Sequence, residues 1–253
     1  MPSYIKTFAA IVPVFICLVF IDTSFAPVPS PNKNARPTVL IFSKTNGFRH
    51  SSIPIGIAAI KKLGMENNFG VEATEDSTWF NTAALKKYAA LIFLSPTGKV
   101  FGPDEEKALQ LYIHNGGGYV GIHAAADCEY NWAWYGGLAG AYFKSHPKQQ
   151  SARLNVINKN HPSTKNLPDV WERFDEWYNF KNLNPDCTVL IKIDEHSYTG
   201  GDNGDNHPMA WYHAYEGGRA FYTALGHTDE SYSDPKYLDH ILGGIKYAIG
   251  GAN

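Results

Sequence analysis

An α/β fold built on a doubly wound, mainly parallel sheet with helices on both faces is the class this sequence predicts. Three observations point to it. Short apolar runs recur with helical stretches between them. Parallel neighbours need a crossover, and a helix is the usual one. The run Tyr119-Val120-Gly121-Ile122 leaves the glycines at 116–118 and stops at His123 among small residues, as a buried strand does when it delivers one polar side chain to its C-terminal end. In open α/β sheets that end is where ligands bind.

The elements follow in order. Thr38–Phe42 reads as a buried strand, and after the loop Ser43–His50, Ser51-Ser52 can cap a helix through Asn67. Gly70–Thr74 and Ala89–Ser95 read as the second and third strands. Pro103–Asn115 is helical: proline suits a first turn, and Glu105 and Glu106 favour the positive helix end. The triple glycine ends that helix and leads into the fourth strand. Beyond it the pattern is more mixed. Arg153–Ile157 and Cys187–Ile193 resemble strands, Arg219–Gly226 is an apolar strand running to His227, and Pro235–Ile249 closes the chain as an amphipathic helix.

With 44% hydrophobic and 18% charged residues, the chain has the composition of a globular protein with a substantial core. A net charge of −2 without a basic cluster argues against nucleic acid as partner. The 14% aromatic content suits a sugar site as well as a core. Lys6, the apolar run Phe8–Ile21 and Ser24-Phe25-Ala26 form the three-part pattern of a secretory signal peptide. The expected organisation is therefore a signal peptide at 1–26, a proline-rich linker at 27–37 and one domain at 38–252. It implies an exported, periplasmic or extracellular protein with no stable membrane span after cleavage. Cys128 and Cys187 remain after cleavage, as one disulfide or two buried thiols.

Two apolar strands thus end at histidines, His123 and His227, and the first strand's loop carries Arg49 and His50. In a parallel sheet these share one rim, so His50, His123 and His227 are expected to converge on a pocket. Around His123, Gly121 and Ala125 give the small neighbours of a nucleophile elbow, but without Ser or Cys acyl-enzyme chemistry is not expected. Asp175-Glu176-Trp177-Tyr178 sets two carboxylates beside two aromatics, and Asn206–His213 supplies His207 and Trp211.

Taken together, Lys44–His50, Gly121–Ala125, Tyr142-Phe143-Lys144-Ser145-His146-Pro147, Asp175–Tyr178, His207–Trp211 and Gly226-His227-Thr228-Asp229 resemble the ThuA-like (trehalose utilisation) family over nearly the whole expected mature chain. The resemblance implies a flavodoxin-like, class I glutamine amidotransferase-like fold. Amidotransferases carry a nucleophilic Cys at the elbow and a later His-x-Glu. Here those positions read His123 and His227-Thr228-Asp229, so glutamine hydrolysis is not expected. The family further implies disaccharide catabolism, in which 3-keto sugars are intermediates.

A ketone acidifies the neighbouring C–H groups, and a histidine or carboxylate can then remove a proton. The expectation is acid–base chemistry on a sugar or 3-keto sugar by His123, His227 and Glu176, with Asp229 orienting His227. Arg49, His50, His146, Tyr178, His207 and Trp211 would bind substrate, with Trp132 as a further stacking ring. A divalent metal held by His123, Glu176 and His227 is a candidate cofactor. The rival is a carbohydrate-binding or sensing protein that keeps the fold without the chemistry.

Overall fold

The computed structural model describes residue 1 and residues 36–250, so the signal segment and nearly all of the proline-rich linker lie outside the described residues. Parallel strands β1 (Thr38–Phe42), β2 (Gly70–Thr74), β3 (Ala90–Leu94), β4 (Gly118–Ile122) and β11 (Gly218–Thr223) form one half of a nine-stranded sheet. Strands β6 (Gln150–Val156), β7 (Val170–Asp175), β9 (Thr188–Ile193) and β10 (Pro208–Tyr215) extend it in the order β11-β10-β9-β6-β7, antiparallel throughout. A separate ribbon pairs β5 (Tyr142–Ser145) with β8 (Asn179–Lys181). The sequence marks β1, β3 and β4 because each is a short apolar run buried along nearly its whole length. It marks β7 poorly because burial alternates along Val-Trp-Glu-Arg-Phe-Asp while polarity does not: Val170 and Phe174 face out, and Arg173 and Asp175 face in.

Helices α1 (Ile53–Glu66) and α5 (Pro235–Ile249) lie on one face, while α3 (Pro103–His114) and α4 (Ala133–Ala139) lie on the other. The short α2 (Thr82–Leu85) precedes β3. On the α5 face a Cβ at Gly244 would stand 2.3 Å from the Phe221 ring, so glycine there lets helix and sheet approach closely. One local expectation is revised. Ser52 occupies the α1 N-cap position, yet it has helical dihedrals and makes no side-chain cap. Its hydroxyl instead donates to the Gly226 carbonyl at 3.4 Å, tying the start of α1 to the loop before His227. The two cysteines among the described residues are free thiols, Cys128 buried and Cys187 partly so.

Five strand steps separate β4 from β7. In a flat sheet that is about 24 Å at the usual strand spacing. The residue following β7 nevertheless touches the residue following β4, with Glu176 Oε2 3.4 Å from His123 Nε2. The antiparallel half must therefore curl back over α5, and Trp171 and Arg173 of β7 do pack against His240 and Tyr237 of that helix.

Beneath this curl two core histidines are kept uncharged. Burial pushes His161 down to about 4 and His240 down to about 3. His240 Nδ1 donates to the Ser163 carbonyl, and its Nε2 faces the Thr223 hydroxyl. Below pH 6.5 the unfolded chain binds protons at these sites that the folded chain does not, so stability falls as pH falls. The expected loss is about 2 kcal/mol per histidine between pH 7 and pH 5. Urea unfolding at pH 7, 6 and 5 checks this, and a flat profile refutes it. Among the described residues no helix is long and apolar enough to cross a membrane.

Candidate active site

The elbow is present as backbone geometry. His123 follows β4 directly at φ +50°, in the left-handed region that costs a non-glycine residue on the order of 1–2 kcal/mol. A one-turn helix, His123–Ala126, then carries the chain away. Gly121 lets the elbow sit tightly, since a Cβ there would stand 2.7 Å from the Tyr222 ring. Hydrogen bonds hold the strained residue on two sides. Its Nδ1 donates to the Ala224 carbonyl at 2.8 Å, and its own carbonyl accepts from the Tyr222 hydroxyl at 2.7 Å. The Ala224 contact places the proton on Nδ1 and leaves the Nε2 lone pair facing the pocket.

His227 Nδ1 lies 3.0 Å from that Nε2, and Glu176 Oε2 lies 3.1 Å from His227 Nδ1. The other oxygen of Glu176 is 3.2 Å from His146 Nδ1, and Gln149 Nε2 is 2.7 Å from His227 Nε2. Burial alone would raise Glu176, but its hydrogen bonds and electrostatic interaction with His123 and His227 outweigh it and hold the carboxyl well below its usual range. His50 closes the group, its ring edge-on to His123 and His227 with centroids 4.8 and 5.1 Å away. Burial, assisted by repulsion from His123 and His227, lowers it to about 3, so it is neutral.

A second layer fixes these groups. Asp175 is fully buried and accepts from the backbone N–H groups of Glu176, Gly226 and His227 at 3.0, 3.0 and 3.1 Å. It also pairs with the buried Arg173 at 2.9 Å. Gly226, at φ +104°, brings the chain past the Tyr237 hydroxyl where a Cβ would stand 2.1 Å away. The β5–β8 ribbon presents His146 and Tyr178. The Tyr178 ring packs on His123 with centroids 4.3 Å apart.

The structure thus brings His50, His123, His146, Glu176, Tyr178 and His227 together, and it separates the others. Asp229 does not orient His227: its carboxylate faces Ser51 Oγ at 3.4 Å, and Glu176 and Gln149 hold the His227 ring. Trp211 is core, 1% exposed, with its indole N–H donating to the Ala139 carbonyl, so it cannot stack on a sugar. Trp132 stacks on Trp134 and Tyr135. His207 is buried and bonds to Glu195 Oε1 at 2.7 Å and the Tyr178 carbonyl at 2.7 Å, a brace behind the pocket wall. Arg49 points outward in a two-pronged pair with Glu75. Gln149 carried no signal in the sequence. Asp127 was passed over too: burial raises its carboxyl despite a hydrogen bond from Tyr130 and the nearby His123.

Residues 38–248 match the sequence pattern of a family described as ThuA, trehalose utilisation. The chain belongs to the ThuA family. Its fold is shared with a ThuA-like protein from Bacteroides uniformis, 26% identical, with a TM-score of 0.72 over 87% of this chain and 95% of that one. A ThuA-like protein from Parabacteroides merdae, 21% identical, covers 85% and 90% of the two chains with a TM-score of 0.71. A cytoplasmic protein from Salmonella typhimurium LT2, 12% identical with a TM-score of 0.61, shares the fold alone. No curated protein matches this ThuA chain in sequence. Membership ties it to carbohydrate utilisation and to the flavodoxin-like α/β class.

The donor set of this ThuA site fits a divalent metal. One ligand atom each from His50, His123, Glu176 and His227 lies within 4.8 Å of all the others. The three closest edges, 3.0, 3.1 and 3.4 Å, approach the roughly 3.3 Å expected between ligands in a tetrahedral site with bonds near 2.0–2.1 Å. The Ala224 carbonyl supplies the outer contact that orients a ligating imidazole. His50 Nδ1 is buried without a hydrogen-bond partner.

Proposed function

We propose that this ThuA protein is an exported enzyme that moves a proton beside the ketone of a disaccharide-derived 3-keto sugar, as an isomerase or lyase. One observation carries the reading: His123, His227 and Glu176, delivered by three separate strands, meet within 3.4 Å in a buried pocket beside a neutral His50. The signal-peptide pattern at 1–26 supports export.

His123 Nε2 is the proton acceptor. The Ala224 carbonyl keeps the Nδ1 proton in place, and the imidazolium formed on proton transfer faces the Glu176 carboxylate. A carboxyl held so far down is a weak base, so Glu176 acts as the fixed anion that stabilises the imidazolium formed on His123 rather than as a second acid/base. Asp127, whose carboxyl is raised, is better suited to proton donation. A bound divalent metal would polarise the ketone oxygen and stabilise enolate charge. His50, Glu176 and His227 would hold it, leaving His123 Nε2 free to accept the proton.

The test is deuterium exchange. Incubated in D2O with 3-keto disaccharides, the protein should wash deuterium into the carbon beside the ketone, and NMR reads the exchange. Absence of exchange with every 3-keto sugar sinks the reading. Metal is checked separately: chelator dialysis should remove about one equivalent of divalent metal by elemental analysis and lower the melting temperature, with both restored by zinc or manganese. A chain that binds neither ion refutes the metal assignment.

A further inference from the structure

Phe48 stands 67% exposed, and a single exposed ring is ordinary on a protein surface. Its place is not ordinary. Its ring lies edge-on to His50, centroids 4.9 Å apart, and His50 packs against both His123 and His227. The other exposed aromatic rings among the described residues, Tyr130 and Phe174, touch none of these histidines. The tip of its loop is also pinned. Thr97 Oγ1 donates to the Phe48 carbonyl at 2.9 Å and accepts from the Gly47 N–H at 3.2 Å, while the Asn46 N–H donates to the Thr97 carbonyl at 2.8 Å. A ring carried on a fixed backbone loses less freedom on binding than one on a mobile loop.

Prepaired polar groups sit next to it in the chain. Arg49 and Glu75 form a half-exposed bidentate pair at 3.0 and 2.7 Å, and Ser51 Oγ meets Asp229 Oδ1 at 3.4 Å. An apolar face edged by donors and acceptors matches one pyranose ring, which has an apolar C–H face and a rim of hydroxyls. Behind Phe48 lies the histidine cluster, with His123, Glu176 and Tyr178 buried and His146 and His227 reaching the surface. We infer that Phe48, with the Arg49–Glu75 and Ser51–Asp229 pairs next to it in the chain, forms a sugar subsite outside the histidine cluster that holds the second ring of the disaccharide. This inference rests on the sugar reading of the histidine pocket.

Calorimetry with glucose disaccharides, their 3-keto forms, glucose and 3-ketoglucose tests it on wild type, Phe48→Ala and Phe48→Trp. Phe48→Ala should bind two-ring sugars about tenfold more weakly and bind single rings as wild type does. Phe48→Trp should retain two-ring affinity. Because the ring is exposed, both variants should melt as wild type does. Equal losses for one-ring and two-ring sugars, or no loss for either, overturn the subsite. Deuterium exchange on the same preparations separates the two claims. Exchange indifferent to Phe48 leaves the acid–base reading standing without the subsite, and Phe48-dependent two-ring binding without exchange leaves the subsite standing without the chemistry. A wild type that binds no sugar of the panel overturns both.

Discussion

His123→Ala is expected to lower turnover by about a hundredfold or more while sugar affinity changes by less than about threefold. The imidazole is the group whose Nε2 lone pair faces the pocket, and its removal takes away the proton acceptor without touching the Phe48 rim. His123→Asn is the companion variant, because asparagine tolerates the left-handed backbone at φ +50° and keeps a polar side chain. Both variants should be folded and inactive. Cysteine at 123 should not restore exchange, since a thiol suits acyl attack better than proton removal beside a ketone. If His123 also ligates metal, His123→Ala should lose the ion together with activity. Turnover within a few-fold of wild type in His123→Asn would remove this residue from the chemistry.

Asp175→Ala is expected to cost about 3–5 kcal/mol of stability, because it strands the Arg173 guanidinium in a buried position. Asp234 Oδ2 lies 3.7 Å from its Nη1, beyond hydrogen-bond reach, and Nε has no hydrogen-bond partner, so the lost contact is recovered only in part. Set against a total of roughly 5–15 kcal/mol, the loss brings the chain close to unfolding at ambient temperature. The same variant releases the backbone of Glu176, Gly226 and His227. Urea unfolding measures the cost. The double variant Arg173→Met with Asp175→Asn should recover stability relative to Asp175→Ala, since it removes the stranded charge as well. A cost below about 1 kcal/mol for Asp175→Ala would show that the pair is not what holds the His227 loop.

The parallel half and the elbow were legible because both are local. Apolar runs mark doubly covered strands, and Gly121 and Ala125 around His123 mark the tight turn. The convergence of His50, His123 and His227 followed from strand direction alone. What the sequence could not show was set by contacts distant in the chain. The pattern His227-Thr228-Asp229 suggested a local orienting carboxylate, but Glu176 holds the ring and Asp229 faces Ser51. Trp211 looked like a sugar platform because tryptophan suits that use, yet β10 lies inside the sheet between β11 and β9 and buries it. Phe48 was embedded in a quoted motif without being singled out, because exposure cannot be read from one aromatic in a loop.

The curl that returns β7 to the rim of β4 sets when the pocket can exist. Glu176 joins the site from 53 residues beyond His123 and 51 before His227, on the outermost strand of the antiparallel half. Pairings that span so much chain pay loop-closure entropy before they return any stabilisation, which makes them slow to form. A partly folded chain with the five parallel strands in place would hold the two strand-end histidines but lack the carboxylate that faces them. Competence therefore arrives as a late checkpoint on folding, and recovery of exchange activity after dilution from urea should lag behind recovery of secondary structure.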